Sequence, residues 1–344
     1  MHARYVRALP GVAWAQSAWP SRAAWAPRSG GAAEAGGSAA WHYWWSAFLL
    51  DAAVSAARDR ASARRRRFVG AVVRGIRIRN GGLTRRTFWD DLAWLGLAAE
   101  RAGRARVAEQ IAVRLAAAVD PGLGLVPWHV GSALFNAPAN APAALLLLRT
   151  GRIDAAVAVR DAMHAALHDP ASGLLHDGAA RDGPGPRIVR DLYTYSQGVA
   201  IALDAELARL TADARFARRG AELLAATATW AGGDAVLPGR GGGDGGLFAG
   251  IAVRFIADAA TAFADAAAAG TAPAAAREAA ASARRLVTSN AEAVWATRAT
   301  ALGAPLFSAD ARRSADPAPG APERDLSVQL GAWLTLEAAA GLAQ

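Results

Sequence analysis

The chain has 344 residues and a formal net charge of +9, with 53% hydrophobic and 19% charged residues. This balance is typical of one large or two ordinary globular domains with a sizeable core, and it excludes a disordered chain. Cysteine is absent, which excludes disulfides, thiolate nucleophiles and zinc sites built on cysteine.

The basic charge comes from arginine alone, because the sequence contains no lysine. Together with abundant alanine and glycine, this composition indicates GC-rich coding bias, and the arginines are scattered along the chain. The densest run, residues 64–67, opens a predicted helix and is interpreted as a solvated helix face rather than a phosphate-binding track. We therefore predict no nucleic-acid partner.

Residues 1–40 are rich in proline, glycine and alanine and are predicted to form a partly ordered N-terminal lead-in. The start of this segment carries an early arginine and is interrupted by proline and tryptophan. It therefore lacks the unbroken apolar stretch of a secretory signal or a membrane span. From this we predict a cytoplasmic protein that has no membrane partner.

From residue 41 onward, apolar helical stretches alternate with breaks rich in Gly, Pro, Asn and Asp. The predicted helices lie near 41–60, 64–79, 88–101, 104–118, 138–149, 152–168, 193–210, 212–230, 246–268, 273–297 and 325–341. Strand patterns are scarce and no motif recurs at fixed spacing, so we predict an all-α protein.

The loops between the predicted helices alternate between short and long. This alternation indicates a closed ring of helical hairpins, an (α/α)6 barrel, in which one rim collects the long loops and forms a pocket. No linker divides the chain after the lead-in, so residues 41–344 are predicted to be a single domain.

Two adjacent carboxylates, Asp90 and Asp91, follow two aromatic residues at the start of a predicted helix. One interpretation is a helix start, with Thr87 as N-cap and Asp90 completing an approximate capping box. The alternative is catalysis, because successive residues there can hold carboxyls roughly 5 Å apart, as retaining glycoside hydrolysis requires. The helix N-terminus would keep one acid ionised, while aromatic walls and repulsion would raise the pKa of the other.

Twelve tryptophans are many for one chain, and several lie near breaks or helix ends. Indole rings stack on the apolar faces of sugars, although core packing accounts for most tryptophans. Trp94 lies on an apolar stripe and is predicted to be core. Trp128, in a long loop between proline and histidine, is the better stacking candidate, and we predict Trp44 and Trp89 at the same site.

Two polar segments precede predicted helices. Asn136 and Asn140 flank proline in "LFNAPANAP", where an asparagine is either a helix cap or a donor and acceptor for sugar hydroxyls. The segment "LYTYSQG" carries Tyr193, Tyr195 and Gln197, which line a wet pocket in one interpretation and merely start a helix in the other.

The glycine-rich segment "GRGGGDGG" lacks the Walker pattern and a βαβ context, so we interpret it as a tight rim loop. Asp244 in this loop is a candidate ligand-binding residue, and Arg254 farther along is a candidate that pairs with an acid. His164 and His168 are four residues apart, but no HExxH pattern exists, and we predict no metal site.

Five segments resemble those of glycoside hydrolase family 76 and come in the same order: WDDLAWLGLA, FNAPANAPAALLL, LYTYSQGVAIALDAEL, GGDGGLFAGIAVRFIAD and LSVQLGAWLTLEAA. The resemblance covers most of the chain. It implies an (α/α)6 barrel and a retaining, endo-acting α-1,6-mannanase without metal or cofactor. Asp90 would be the nucleophile, Asp91 the general acid/base, and an α-mannan or mannose-containing oligosaccharide the partner. A chain without secretion signal agrees with a bacterial, intracellular branch of the family.

Three alternatives remain open at this point. The same barrel would act on another glycoside or epimerise a sugar, in which case His129 and His176 are the loop histidines available. A non-catalytic glycan-binding protein would bind mannan without either aspartate. A basic nucleic-acid binder would show steeply salt-dependent affinity, and the scattered arginines make it the weakest alternative.

Overall fold

The computed structural model describes residues 2–19, 42–183 and 185–343. Six long helices form a closed inner ring in which each contacts its two neighbours and the last contacts the first. These inner helices are α2 (Tyr43–Asp59), α4 (Trp89–Arg101), α6 (Ala137–Arg149), α8 (Thr194–Thr211), α10 (Gly245–Ala268) and α12 (Leu326–Leu342).

Five further long helices pack outside this ring in the described part of the chain. They are α3 (Ala63–Arg79), α5 (Ala105–Ala117), α7 (Ile153–Leu167), α9 (Ala214–Ala231) and α11 (Pro273–Ala296). Each outer helix follows an inner helix and packs against it, as in a ring of helical hairpins. The predicted (α/α)6 barrel is confirmed, and all eleven predicted helices are present with ends within two residues of the prediction.

Loop lengths differ between the two ends of the barrel. Inner helices connect to the following outer helices through short turns, at 60–62, 102–104, 150–152, 212–213 and 269–272. Outer helices return to inner helices through long connections, at 80–88, 118–136, 168–193, 232–244 and 297–325. The amino-terminal ends of α4, α6, α8, α10 and α12 therefore lie at the rim with the long loops.

Short antiparallel strands lie in these long connections and near the N-terminus. A three-stranded sheet joins β3 (Leu134–Asn136), β4 (Gly178–Ala180) and β5 (Arg187–Val189), and Asn136 pairs with Gly178 in its register. A hairpin of β6 (Ala299–Ala301) and β7 (Ala304–Leu306) belongs to the loop before α12. A 3-10 turn (Pro322–Arg324) leads into α12.

The predicted lead-in, residues 1–40, falls largely on residues outside the described ones. The described stretch 2–19 forms α1 (His2–Tyr5) and a hairpin of β1 (Val6–Leu9) and β2 (Val12–Ala15). Strand β2 packs against α3, and the N–H of Leu326 donates to the carbonyl of Ser17. These residues thus connect α3 with the start of α12, while the proposed domain boundary stays a prediction.

Helix α10 is a long, apolar and mostly buried member of the inner ring. By length and composition it is apolar enough to cross a membrane, with a mean hydropathy of 1.6 over its most apolar window. However, 72% of that window is buried against the rest of the protein, mainly α8, α11 and α12. Burial in the barrel therefore accounts for its apolar sequence.

Glycines let α8, α10 and α12 approach closely. A Cβ atom added to Gly250 would lie 2.3 Å from the carbonyl oxygen of Gly331. One added to Gly331 would lie 2.5 Å from the carbonyl oxygen of Gly246. A Cβ atom on Gly198 would lie 2.5 Å from the Cα of Ala252. Backbone contact therefore sets the spacing of these helices, and no side chain fits at the contact points.

A network of charged side chains connects five inner helices inside the ring. Its members are Asp51 of α2, Arg101 of α4, Arg149 of α6, Glu206 of α8, and Arg254 and Asp258 of α10. Arg254 lies 3.1 Å from Asp51 and 2.6 Å from Asp258. Every charge in the network has an opposite partner, which is the condition under which buried ions are tolerated.

Gly250→Ala is expected to lower the free energy of unfolding by about 1–3 kcal/mol, because the added methyl group forces α10 away from α12. Gly341→Ala is the control, since Gly341 lies in the last turn of α12 with open space at its Cβ position. That variant should be neutral or slightly more stable. Urea unfolding followed by circular dichroism measures both, and an unchanged midpoint for Gly250→Ala would refute backbone contact as the determinant.

Candidate active site

The two adjacent aspartates lie in the first turn of α4, at the rim with the long loops. Phe88 is the N-cap residue, and no side chain caps this helix end. The predicted capping box between Thr87 and Asp90 is therefore wrong. Instead, the N–H of Asp91 donates to Oδ1 of Asp90 at 2.8 Å, so the carboxylate of Asp90 satisfies one of the free N–H groups of the first turn.

Asp90 is held by a second hydrogen bond from the opposite loop. The indole Nε1 of Trp128 donates to Oδ2 of Asp90 at 2.9 Å. Burial raises the pKa of Asp90 to about 6, the two hydrogen bonds oppose that shift, and the nearby charge of Asp244 adds to it. Asp90 thus titrates near neutral pH while both of its oxygens are oriented.

Asp91 has different partners. Arg86 donates to Oδ2 of Asp91 from Nε at 3.2 Å and from Nη2 at 3.1 Å. The guanidinium of Arg86 lies 4.5 Å from the ring centroid of Tyr43, and burial followed by the charge of Asp91 raises the pKa of that phenol. Two neighbouring carboxyls therefore face opposite environments: an indole and further acids for Asp90, a cation for Asp91.

A cluster of half-buried aromatic rings lies at the same rim, at the starts of α2, α8 and α10. Phe248, in the first turn of α10, stacks on Tyr195 at 4.3 Å between ring centroids. It also contacts Tyr193 at 5.2 Å and Trp44 at 6.5 Å. The predicted aromatic residues Trp44, Tyr193 and Tyr195 are thus brought together. Phe248 was not predicted, although its place after the glycine-rich rim loop was a signal for it.

Further acids lie close to Asp90. Asp244 accepts a hydrogen bond from Nε1 of Trp45 at 2.9 Å. Burial, then Asp191 and Asp90, raise the pKa of Asp177 to about 6. Burial, then the charges of Asp177, Asp90 and Asp244, raise the pKa of Tyr195 well above its usual value. Asp177 was not predicted from the sequence, because a single aspartate before a glycine in a turn-rich loop has no distinguishing pattern.

Asn140 and Gln197 have structural roles instead of the predicted substrate-binding roles. Asn140 is fully buried; its Oδ1 accepts from the N–H of Val126, and its Nδ2 donates to the carbonyls of Val126 and Asn136. Gln197 is fully buried and bonds the N–H and the carbonyl of Leu175 in the same way. Both side-chain amides attach a long loop to an inner helix through hydrogen bonds to the loop backbone. Because these bonds occupy the amide groups and both side chains are fully buried, neither is available to a sugar.

Three other predicted residues are not members of the aromatic cluster. Arg254 pairs with acids as expected, but these acids belong to the buried ion network. Another member of that network, Arg101, lies about 16 Å from Asp90 along α4, at 1.5 Å per residue. The side chain of Asn136 is buried, and its Oδ1 accepts no hydrogen bond from any of the described residues. The Trp89 ring faces the guanidinium of Arg114, whose carbon lies 5.4 Å from the ring centroid.

The arrangement favours acid–base and nucleophilic chemistry on a sugar. Two adjacent carboxyls with unlike surroundings offer one nucleophile and one proton carrier, and the aromatic rings offer stacking faces for pyranosides. Within residues 2–19, 42–183 and 185–343, no group of three or more His, Asp or Glu side chains is arranged to hold a metal ion.

Known proteins share this fold. The α-1,6-mannanase GH76A of Salegentibacter sp. HEL1_6 is 25% identical, with a TM-score of 0.77 over 89% of this chain and 91% of that chain. An inactive variant of that enzyme, with two successive aspartates changed to asparagine and α-1,6-mannotriose bound, is 23% identical (TM-score 0.76; 88% and 90% coverage). The Lin0763 protein from Listeria innocua is 20% identical (TM-score 0.80; 99% and 94% coverage).

Among curated proteins, no sequence matches this chain significantly. A family model does match: that of glycosyl hydrolase family 76, over residues 84–304. This range includes both aspartates of α4, the Trp128 loop and the start of α10. The chain therefore belongs to glycosyl hydrolase family 76 and is a glycoside hydrolase.

Proposed function

We propose that this glycoside hydrolase cleaves α-1,6-mannosidic bonds, in mannan or a related mannose-containing glycan, with retention of configuration at the anomeric carbon. The single observation that carries the proposal is the Asp90–Asp91 pair, in which adjacent carboxyls have unlike partners beside an aromatic cluster. The similarity to the Salegentibacter α-1,6-mannanase supports the choice of bond.

The mannotriose complex of the inactive Salegentibacter variant supports the choice of residues. In that protein two successive aspartates were replaced, and the variant is inactive and binds α-1,6-mannotriose. The present chain has two successive aspartates at the start of an inner helix of the same fold. We infer that this pair has the corresponding role here.

In the first proposed step, the carboxylate of Asp90 attacks the anomeric carbon of the mannosyl unit, and the bond from that carbon to the glycosidic oxygen breaks. Asp91 gives its proton to the departing oxygen, so a covalent mannosyl ester and a shortened glycan form. The hydrogen bonds from Trp128 and from the Asp91 N–H orient the attacking carboxylate. The ion pair with Arg86 favours the carboxylate form of Asp91, so it must loosen when Asp91 takes up a proton from solvent before the step, and it stabilises the carboxylate that forms after proton transfer.

In the second proposed step, Asp91 takes a proton from water as the water oxygen attacks the anomeric carbon. The ester bond to Asp90 breaks, the carboxylate is restored, and the mannoside is released with its original anomeric configuration because two inversions have occurred. The rings of Trp44, Tyr193, Tyr195 and Phe248 offer apolar faces to the sugar rings during both steps.

Asp91→Asn is expected to lower kcat/KM on α-1,6-mannan by about 10²–10⁴-fold, because it removes the proton carrier. Asp90→Asn should abolish turnover, because it removes the nucleophile. Reducing-end release measures both, and NMR of the first-formed product in wild type reports the anomeric configuration. The matched control is Asp154→Asn, because Asp154 is an exposed acid in the first turn of α7, at the opposite end of the barrel. Its activity should be unchanged. Inverted product would overturn the retaining mechanism.

The pH profile of kcat/KM is expected to fall on the acid side with a midpoint near the Asp90 pKa of about 6, since the nucleophile must be ionised. Asp244→Asn removes a negative charge that raises this pKa while keeping an acceptor for Trp45, so the acid limb should move to lower pH. Initial rates between pH 4 and pH 9 give the limb. If kcat/KM instead fell as the pH rose through about 6, Asp90 would have to be protonated for activity, and it would be the proton carrier rather than the nucleophile.

Trp128→Phe is expected to move the acid limb the opposite way, to higher pH by about one unit, because the lost hydrogen bond favoured the ionised form of Asp90. The phenyl ring keeps an apolar face at this position, so the variant separates hydrogen bonding from stacking. The same pH-rate measurement applies. An unmoved limb would show that the indole N–H does not influence the Asp90 ionisation.

A further inference from the structure

A basic depression lies beside the aspartate pair, on the segment that precedes α4. It is a shallow, open depression of about 580 Å³, lined by Thr84, Arg85, Arg86, Thr87 and Arg114. Three of these five residues are arginines and none is acidic. Of these residues the proposed mannanase chemistry uses only Arg86, through its ion pair with Asp91, and it gives Arg85 and Arg114 no role.

Two of the three arginines have no carboxylate partner in the described part of the chain. Arg114 donates to the carbonyl oxygens of Thr84 and Arg86 and lies over the ring of Trp89. These contacts hold the guanidinium in place without neutralising its charge. Arg85 is exposed and makes neither a hydrogen bond nor an ion pair with any described residue.

The third arginine links the depression to the proposed active site. Arg86 lines the depression and also donates from Nε and Nη2 to Oδ2 of Asp91. Arg86 is paired with Asp91, whereas no carboxylate of the described residues pairs with Arg85 or Arg114, so these two arginines give the surface positive charge. A group held in the depression would be separated from Asp91 by a single side chain.

The donor set indicates the chemistry of the group that fits. The three guanidinium groups are positively charged and offer only donors, and the two threonine hydroxyls both donate and accept, so donors outnumber acceptors at the wall of the depression. Neutral sugar hydroxyls need acceptors as well as donors, whereas a phosphate ester offers acceptor oxygens alone. Arginine forks also match the geometry of phosphate oxygens, and such charge-assisted bonds are stronger than neutral ones.

We propose that the depression formed by Thr84, Arg85, Arg86, Thr87 and Arg114 is a subsite for a phosphate ester carried by the glycan substrate. Arg85 and Arg114 bind the phosphate, and Arg86 places it next to Asp91. This inference rests on the proposed function and names the substrate class more closely: α-1,6-linked mannosides that carry a phosphate group near the bond to be cleaved.

The test compares α-1,6-mannotetraose with the same oligosaccharide carrying one phosphate monoester. Wild type is expected to show a higher kcat/KM on the phosphorylated form, and Arg85→Gln should lose about tenfold of that preference, the value of one charge-assisted hydrogen bond. Arg106→Gln is the matched control, because Arg106 is an exposed arginine at the opposite end of α5. Equal kcat/KM for the two oligosaccharides, or an equal loss in Arg106→Gln, overturns the proposal.

A binding measurement separates this inference from the proposed function. Calorimetry on the Asp90→Asn/Asp91→Asn double variant compares the phosphorylated oligosaccharide, the neutral one and inorganic phosphate, with and without Arg85→Gln. Tighter binding of the phosphorylated form, lost with Arg85→Gln, supports the subsite even if wild type fails to hydrolyse neutral mannan. Inorganic phosphate that binds as tightly as the phosphorylated oligosaccharide overturns it, because the depression would then be a site for the free ion.

Discussion

All six inner helices run in the same direction, because each is joined to the next through an antiparallel outer helix. Their amino-terminal ends therefore meet at the rim that carries the long loops. Helix amino termini have free N–H groups and a partial positive charge, so this rim stabilises acidic side chains. Asp90 and Asp91 in the first turn of α4, and Asp244 at the N-cap of α10, occupy such ends. The acidic site depends on the closure of the ring.

Within that rim, two consecutive residues have unlike environments. Successive side chains on a helix point about 100° apart, so Asp90 and Asp91 cannot face the same partners. Asp90 turns toward the loop that carries Trp128 and toward other acids, whereas Asp91 turns toward Arg86 and the buried phenol of Tyr43. Burial raises the pKa of the first carboxyl, and a cation neutralises the second. Adjacency in the chain thus produces a chemically asymmetric pair.

The barrel holds this pair in place through contacts that leave little freedom. Backbone contact at Gly250 and Gly331 sets the distance between α10 and α12, and the ion network that includes Arg254 joins five inner helices. The buried amides of Asn140 and Gln197 then attach long loops to this frame by bonding loop backbone groups. The long loops are thus attached to the barrel by polar side chains of the inner helices.

Several elements were predictable from local pattern. Apolar periodicity and the glycine, proline and asparagine breaks located the eleven long helices, since these features act within a few residues. The alternation of short and long loops indicated the ring, and the family resemblance indicated Asp90 and Asp91. The short strands and the role of Asn140 were not predictable. An asparagine before a helix has the same local pattern whether it binds a sugar or, as here, the backbone of Val126.

The sequence by itself determined where the helices begin and end and that two carboxyls are neighbours, because both depend on residues adjacent in the chain. Only the tertiary structure decided which side chains surround those carboxyls. The residues around Asp90 come from separate parts of the chain: Phe248 from α10, and Asp177 and Trp128 from two different loops. They come together because the six inner helices close into a barrel. Burial, charge and hydrogen bonding among such distant residues set the pKa of Asp90, and no local pattern contains that information.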